Sequence, residues 1–339
     1  AKADSGAKPI AVDATHVFHS RNTEYEIFTV DGKRHELGAV FLLNHSSVLT
    51  EGTPPVRGIA ERVHAEGGLI ELDKHAWPWS MALVPVMKVD LYELSNNHVW
   101  RAPFAFRGWG EPAPEYMRIE RDEHGWTERG WIDYGFQNYY ALLDCGFRLR
   151  PTAGTASGVH PVPLGFGRVY VHLDAGFSYE AWVRGLNEGR SFVTTGPMLF
   201  VEASRGEAGG SCIRITGSAV SAGPLTRMEV IVNGEIAASP RPANAKTPEG
   251  AYENKIDASV EAAGSLWTAV RVFEEAPGGR IRFAHSAPWF FEVDGKPLRP
   301  RREEAEFLTR RVREQVARSE GVLPAAAIEE YRAALRAYE

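Results

Sequence analysis

Two hydrophobic periods alternate along the first two hundred residues. Short apolar or alternating runs predict strands at YEIFTV, GAVFLLNH, LIELDKH, KVDLYELS and RVYVHLD. Segments with apolar residues every three or four positions and a glycine at the end predict helices at PPVRGIAERVHAEGG, GFQNYYALLDCG and SYEAWVRGLNEG. Ser178 is expected to cap the last of these. The alternation predicts an α/β region of parallel βαβ units, with functional groups at the carboxyl ends of the strands.

From Val201 onwards the pattern changes to short alternating segments, among them CIRITGSAV, RMEVIVNGEIA, SLWTAVRVFEE and RIRFAHSAP. The Asn-Gly and Asp-Gly pairs between them are hairpin signals. After Pro300, two amphipathic and highly charged helices are interrupted at GVLP. The chain therefore divides into an α/β region (1–205), a small all-β sandwich (206–297) and a helical tail (298–339), which packs on the first region or on a second subunit.

Composition narrows the class of protein. The 339 residues are 44% hydrophobic and 24% charged, as in ordinary globular proteins, and the formal net charge is −6. An acidic chain does not favour nucleic acid as a partner. No apolar run approaches the roughly 18 residues of a membrane span. Cys145 and Cys212 lie far apart and outside any CxxC motif, which favours two buried thiols over a disulfide framework.

Several candidate residues follow predicted strands. His75 comes after LIEL and before Trp77, a position that suits metal ligation or proton transfer, or simple packing of the imidazole on Trp77. Asn97 and His98 follow LYELS, where they either form a turn or contact a substrate.

Two further groups have the residue types of a metal or anion site. Glu26 and His35 flank an Asp-Gly turn, so a carboxylate and an imidazole from paired strands can converge on one ion, although a hairpin also produces such neighbours by chance. His160 is the best candidate for a ligand on a loop. Arg168 is expected to bind an anionic or carbonyl oxygen, or to form a salt bridge that holds the loop.

Motifs for a serine nucleophile elbow, a dinucleotide fold or a P-loop are absent from the sequence.

Four segments, in this order, resemble the CehA/McbA-like branch of the PHP metal-dependent hydrolases: EGGLIELDKH, NNHVW, YYALLDCGFRLRPTAGTASGVHPVPLGFGRVYV and GRSFVTTGP. The similarity covers roughly residues 15–205. The resemblance implies a distorted (β/α) barrel over residues 1–205, followed by a β-sandwich. It also implies hydrolysis of phosphoesters or, in this branch, of carbamates.

The same resemblance implies a ligand set. Glu26, or alternatively Glu24, matches a metal-bridging glutamate, and His35 and His75 match metal-binding histidines. The implied ions are divalent, most often zinc or manganese, and activate a water molecule.

This chain departs from the family pattern in two places. The opening His-x-His strand has no counterpart, because His16 and His19 are spaced as His-x-x-His. The closing loop lacks its aspartate, and His160 is the candidate substitute. Either an upstream segment carries the first motifs, or the chain belongs to a divergent subgroup with one metal ion or none.

These residues together predict a metal-dependent hydrolase of an ester, carbamate or phosphoester bond. One ion would be held by residues among Glu26, His35, His75 and His160, with Arg168 or His98 stabilising the developing negative charge. The expected partner is a small or sugar-like molecule, in contact with Trp77, Asn97 and His98.

Three questions stay open at this point. The alternatives to a hydrolase are a catalytically degenerate barrel that binds carbohydrate or protein, and a single-metal lyase. A homo-oligomer fits the sequence as well as a monomer does. A periplasmic or extracellular location is expected from the resemblance.

Overall fold

The computed structural model of the protein describes residues 9–18, 22–30, 33–50, 55–73, 77–95, 97–100, 113–155, 162–206 and 212–339, without the side chains of 27–29, 33–37 and 97–98. Within these ranges the strands form five sheets, none of which closes into a barrel. The predicted (β/α) barrel is therefore wrong.

The strands and helices of these ranges are numbered in chain order. The strands are β1 (Ile10–Ala11), β2 (Val17–Phe18), β3 (Thr23–Val30), β4 (Lys33–Leu43), β5 (Leu69–Leu72), β6 (Leu91–Ser95), β7 (Arg121–Asp122), β8 (Gly125–Trp126), β9 (Arg150–Ala153), β10 (Arg168–Val171), β11 (Ser191–Thr194), β12 (Met198–Arg205), β13 (Cys212–Ser221), β14 (Leu225–Val232), β15 (Glu235–Ala238), β16 (Ala245–Lys246), β17 (Tyr252–Glu261), β18 (Leu266–Ala276), β19 (Arg280–Ser286) and β20 (Trp289–Phe291). The helices are α1 (Arg57–Ala65), α2 (Pro78–Met87), α3 (Asn97–Trp100), α4 (Glu128–Asp144), α5 (Tyr179–Asn187), α6 (Arg302–Ser319) and α7 (Ala325–Tyr338).

In place of the predicted barrel, the structure has an open five-stranded sheet with the order β3-β4-β5-β6-β9. Only β5, β6 and β9 pair in parallel, whereas β3, β4 and β5 pair antiparallel. Two residues separate β3 from β4, too few for the helical crossover that a parallel pair requires. The βα alternation therefore extends over part of the region only.

Strands β10 and β11 do not return to this sheet. They pair with each other, and β11 pairs antiparallel with β19, in the order β10-β11-β19-β18-β14-β15, with β20 also on β18. A second sheet, β12-β13-β17-β16, packs on this one through a shared apolar core that includes Ile213, Ile215, Val230 and Val272. The alternating segments after Val201 thus form strands, as predicted, and their larger sheet extends back to residue 168.

Helix α4 is the central element of the fold. The Thr127 hydroxyl accepts the N–H of Gly130 and caps its start. On one side the Tyr139 ring packs 4.9 Å from the ring of Tyr92 on β6, and on the other Tyr140 packs against Trp267 on β18. The helix therefore joins the five-stranded sheet to the seven-stranded one, and both of its faces are buried.

A buried hydrogen-bond chain fixes α4 to the seven-stranded sheet. The Nδ1–H of His285 donates to the carbonyl of Ser286 (2.7 Å), so Nε2 accepts the Tyr140 hydroxyl proton (2.8 Å). Burial lowers the pKa of His285 to about 3 and keeps the imidazole neutral. Arg271 reaches the Tyr140 oxygen at 3.4 Å and donates through Nε to Glu229 at 2.6 Å.

The tail packs on the first region of the same chain. The Tyr338 hydroxyl on α7 donates to the carbonyl of Met81 on α2 (2.8 Å). The Glu330 carboxylate accepts the backbone N–H groups of Val56 (2.8 Å) and Arg57 (3.2 Å) at the start of α1. Sequence periodicity missed α2, because PWSMALVPVM is apolar on every side and contains Pro85. The tail covers this apolar helix.

Composition predicts no membrane-spanning segment and two buried thiols. No helix of the described ranges is long and apolar enough to cross a membrane. Cys145 and Cys212 are both free thiols, and both are half-buried rather than fully buried.

We predict that Tyr140→Phe destabilises the protein by about 1–3 kcal/mol, because it leaves the buried His285 Nε2 and an Arg271 N–H without a partner. The measurement is the free energy of unfolding in denaturant. Tyr170→Phe, on the exposed edge strand β10, is the matched control and should change it by less than about 0.5 kcal/mol. Equal effects of the two variants would contradict this role of Tyr140.

Candidate functional site

The carboxyl ends of three parallel strands, β5, β6 and β9, lie side by side. From these ends the chain continues into His75, into Asn97 and His98, and into His160, respectively. His75 and His160 lie outside the described residues, and so do the side chains of Asn97 and His98. Each of these candidates therefore follows the same edge of one sheet. We call this place the carboxyl edge.

Acidic side chains share one face of the sheet beside the carboxyl edge. In the parallel register Glu93 on β6 is paired with Thr152 on β9, and Glu71 on β5 is paired with Leu91. Because Leu91 and Glu93 are two residues apart, Glu71, Glu93 and Thr152 point to the same side. Asp73 follows two residues after Glu71. We call this surface the acidic face.

Glu71 is the most enclosed of these carboxyl groups, with 8% of its surface exposed. Burial raises its pKa to about 7, against the opposing effect of a short hydrogen bond from the Thr152 hydroxyl. The charge of nearby Asp73 raises the pKa further. Glu71 can therefore gain or lose a proton near neutral pH.

Two glycines bring the backbone against the acidic face. A Cβ atom at Gly154 would collide with the Glu93 carboxylate. At Gly167 it would lie 3.1 Å from the carbonyl oxygen of Gly154 and 3.3 Å from the hydroxyl oxygen of Ser95. The Ser95 side chain is fully buried, and its hydroxyl has no hydrogen-bond partner in the part of the chain that the structure describes. It is a polar group available at the carboxyl edge.

The predicted metal ligands are only partly placed. Glu26 is exposed on β3 and paired with Ala39 of β4. Strand β4 lies between β3 and β5, so the backbones of β3 and β5 are two strand spacings apart, about 10 Å in total. His35 belongs to β4, but its side chain is outside the described set. Among the described residues, no group of three or more His, Cys, Asp or Glu side chains could hold a metal ion.

Arg168 and Trp77 differ in how much of each side chain is exposed to solvent. Arg168 begins β10, directly after Gly167, and its side chain is exposed, with no ion pair to any described residue. Trp77 is the half-buried N-cap residue of α2 and packs against the main apolar core. Trp79, two residues further along, is buried beneath Gly38 and belongs to the core.

Sequence reasoning missed the acidic face itself. The apolar patterns around LIEL and LYEL predict buried strands and assign no role to the carboxylates within them, Glu71 and Glu93. A carboxylate inside an otherwise apolar strand is costly to bury, and that cost was the available signal.

A separate cleft with a cavity volume of about 310 Å³ lies between the start of α4 and the seven-stranded sheet. Its lining includes Arg129, Arg227, Phe273 and Glu274. None of the candidate residues predicted from the sequence lines it.

Comparison with known protein families, with characterised proteins and with solved structures found no match for this chain. Function is therefore inferred from the residues of the site.

We predict that Glu71→Gln raises the melting temperature above pH 7, with the gain vanishing near pH 4.5. The folded pKa of about 7 exceeds the ordinary value of 4.5, so the wild type loses stability as pH rises between these values, and glutamine abolishes that loss. Thermal unfolding at several pH values measures the effect.

Glu66→Gln is the control of opposite sign. Burial would raise the pKa of Glu66, but hydrogen bonds from Ser47 and Ser46 outweigh it and lower the pKa to about 2. This variant should therefore melt at a lower temperature than the wild type above pH 4.5. A Glu71→Gln protein that also melts lower above pH 7 would show that the carboxyl group is not held in an unfavourable environment.

Proposed function

We propose that the protein is a metal-dependent hydrolase of an ester, carbamate or phosphoester bond, with its site at the carboxyl edge. The observation that carries the proposal is the juxtaposition of the acidic face with the three strand ends from which the chain enters His75, His98 and His160. In α/β proteins this end of parallel strands is where reactive groups collect. The sequence resemblance to PHP hydrolases favours the same chemistry.

The donor types at this place suit a divalent ion such as zinc or manganese. Carboxylates and imidazoles are the ligands that such ions prefer. The described carboxylates do not complete a ligand set, so the proposal requires His75 and His160 as ligands. When bound, the ion would supply a water molecule of lowered pKa.

The chain's own residues supply the remaining functions. Glu71, with its pKa near neutrality, accepts the proton of the attacking water and returns it to the leaving group. Arg168, exposed beside Gly167, balances the negative charge that develops on the substrate. Trp77, Asn97 and His98 contact the substrate.

The test measures bound metal and hydrolysis on the same preparations. Wild type, His75→Ala and His172→Ala are purified without chelator or nickel resin, analysed for metal, and assayed on an ester, carbamate and phosphoester panel. His172 has a side chain that is 72% exposed and serves as the matched histidine control. We expect near-stoichiometric metal and hydrolysis in the wild type and the control, and loss of both in His75→Ala, whose circular dichroism spectrum should still be that of the folded protein.

Other outcomes would replace the proposal. Wild-type protein without metal and without turnover would favour a module that binds carbohydrate or protein. Metal with elimination products in place of hydrolysis products would favour a lyase. Full activity in His75→Ala would remove this histidine from the site.

A further inference from the structure

Two arginines of β19, Arg280 and Arg282, project from the same side of the strand. Both guanidinium groups lie over the ring of Trp100, at 5.7 and 5.9 Å from its centroid. Four hydrogen bonds hold Arg280: its Nε donates to both carboxylate oxygens of Glu128 (3.1 and 2.9 Å), and its Nη2 donates to the carbonyls of Val99 and Trp100. Arg280 thus has a structural role, because it ties α3 to α4.

Arg282 forms fewer hydrogen bonds to the described residues than Arg280 does. Its only hydrogen bond in the described part of the chain runs from Nη1 to the carbonyl of Ile281 (3.1 Å), and no described carboxylate lies within the 4.0 Å of an ion pair. Its cross-strand neighbour Glu274 instead accepts the N–H of Gly223 (2.9 Å). Partial burial and the charge of Arg280 lower the pKa of Arg282, and the opposing negative charges of Glu128 and Glu274 only partly offset them.

The position of Arg282 connects it to the carboxyl edge. Its guanidinium lies 5.0 Å from the ring centroid of Phe166, which packs edge-on against Trp100 at 5.0 Å. Trp100 ends the short helix that contains His98, and Phe166 directly precedes Gly167, the glycine that approaches Ser95. Arg282 therefore reaches from the β-sandwich sheet to the two chain segments that border the site.

We propose that Arg282 binds an oxyanion of the substrate, a phosphate or a carboxylate group, on the Trp100–Phe166 pair at the carboxyl edge. A guanidinium group presents N–H donors in the geometry that such anions require, and the two rings hold it in place. This inference rests on the proposed function for the location of the site. It narrows the substrate class to molecules that carry a negative charge and disfavours neutral esters and carbamates.

Calorimetric binding of inorganic phosphate and of acetate tests the proposal on the full chain. The variants are Arg282→Gln, Arg282→Lys and, as a control that also deletes one positive charge, Arg214→Gln. Arg214 is 59% exposed and pairs with Asp257 in the four-stranded sheet. Loss of charge-assisted hydrogen bonds should weaken binding of at least one anion by about 10- to 100-fold in Arg282→Gln. Arg282→Lys should keep part of the affinity, and Arg214→Gln should keep all of it.

The two anions identify the source of the oxyanion, since a preference for phosphate indicates a phosphoester and a preference for acetate indicates a carboxylate. Equal binding by wild type and Arg282→Gln, or no binding of either anion, would overturn the proposal. So would a lower melting temperature of Arg282→Gln with unchanged binding, because Arg282 would then be structural. The binding measurement does not depend on turnover. If the protein binds the anion through Arg282 but has neither metal nor hydrolytic activity, the proposed hydrolase function is refuted and the anion site is still supported.

Discussion

This fold depends on hydrogen-bond partners for the polar side chains of helix α4, which is buried on both sides. Helix α4 has apolar sheets against two of its faces, so its polar side chains must find partners inside the protein. Tyr140 does so by donating to a neutral His285 and receiving Arg271, whose own charge is balanced by Glu229. Removing any one of these four side chains leaves a buried polar group without a hydrogen-bond partner. The desolvation cost of that group exceeds the net contribution of the hydrogen bond to the free energy of unfolding.

The same helix connects this network to the candidate site. The Tyr139 hydroxyl donates to the carbonyl of Leu149 (2.9 Å), the residue just before β9, while the Tyr139 ring packs on Tyr92 of β6. Helix α4 thereby sets the relative position of two of the three strands whose ends form the carboxyl edge. From the opposite direction, β19 carries His285 into the network and Arg282 towards Trp100 and Phe166. The positions of β6, β9 and β19 beside the site therefore depend on the contacts that hold α4 in place.

Sequence patterns predicted most elements but not how they pair. Local periodicity and capping identified α1, α5 with its Ser178 cap, both tail helices and the strands after Val201, because these signals act between residues close in the chain. Strand partners depend on long-range packing: β10 and β11 follow the αβ alternation yet belong to the sheet of the sandwich. Helix α2 and the carboxylates of the acidic face were missed for a related reason, since full burial leaves no amphipathic pattern and isolated charges in apolar strands give no periodic signal. The sequence predicted that His75 and His98 follow strands and that His160 lies on a loop, and the roles of their side chains stay predictions.

Anomalous X-ray diffraction from crystals of protein purified without chelator shows whether a metal ion lies at the carboxyl edge. Data collected on both sides of the zinc and manganese absorption edges would locate and identify a bound ion. We expect one peak at the carboxyl edge, about 2.0–2.3 Å from nitrogen atoms of His75 and His160. A peak remote from the ends of β5, β6 and β9, or no peak in well-ordered crystals of active protein, would contradict it.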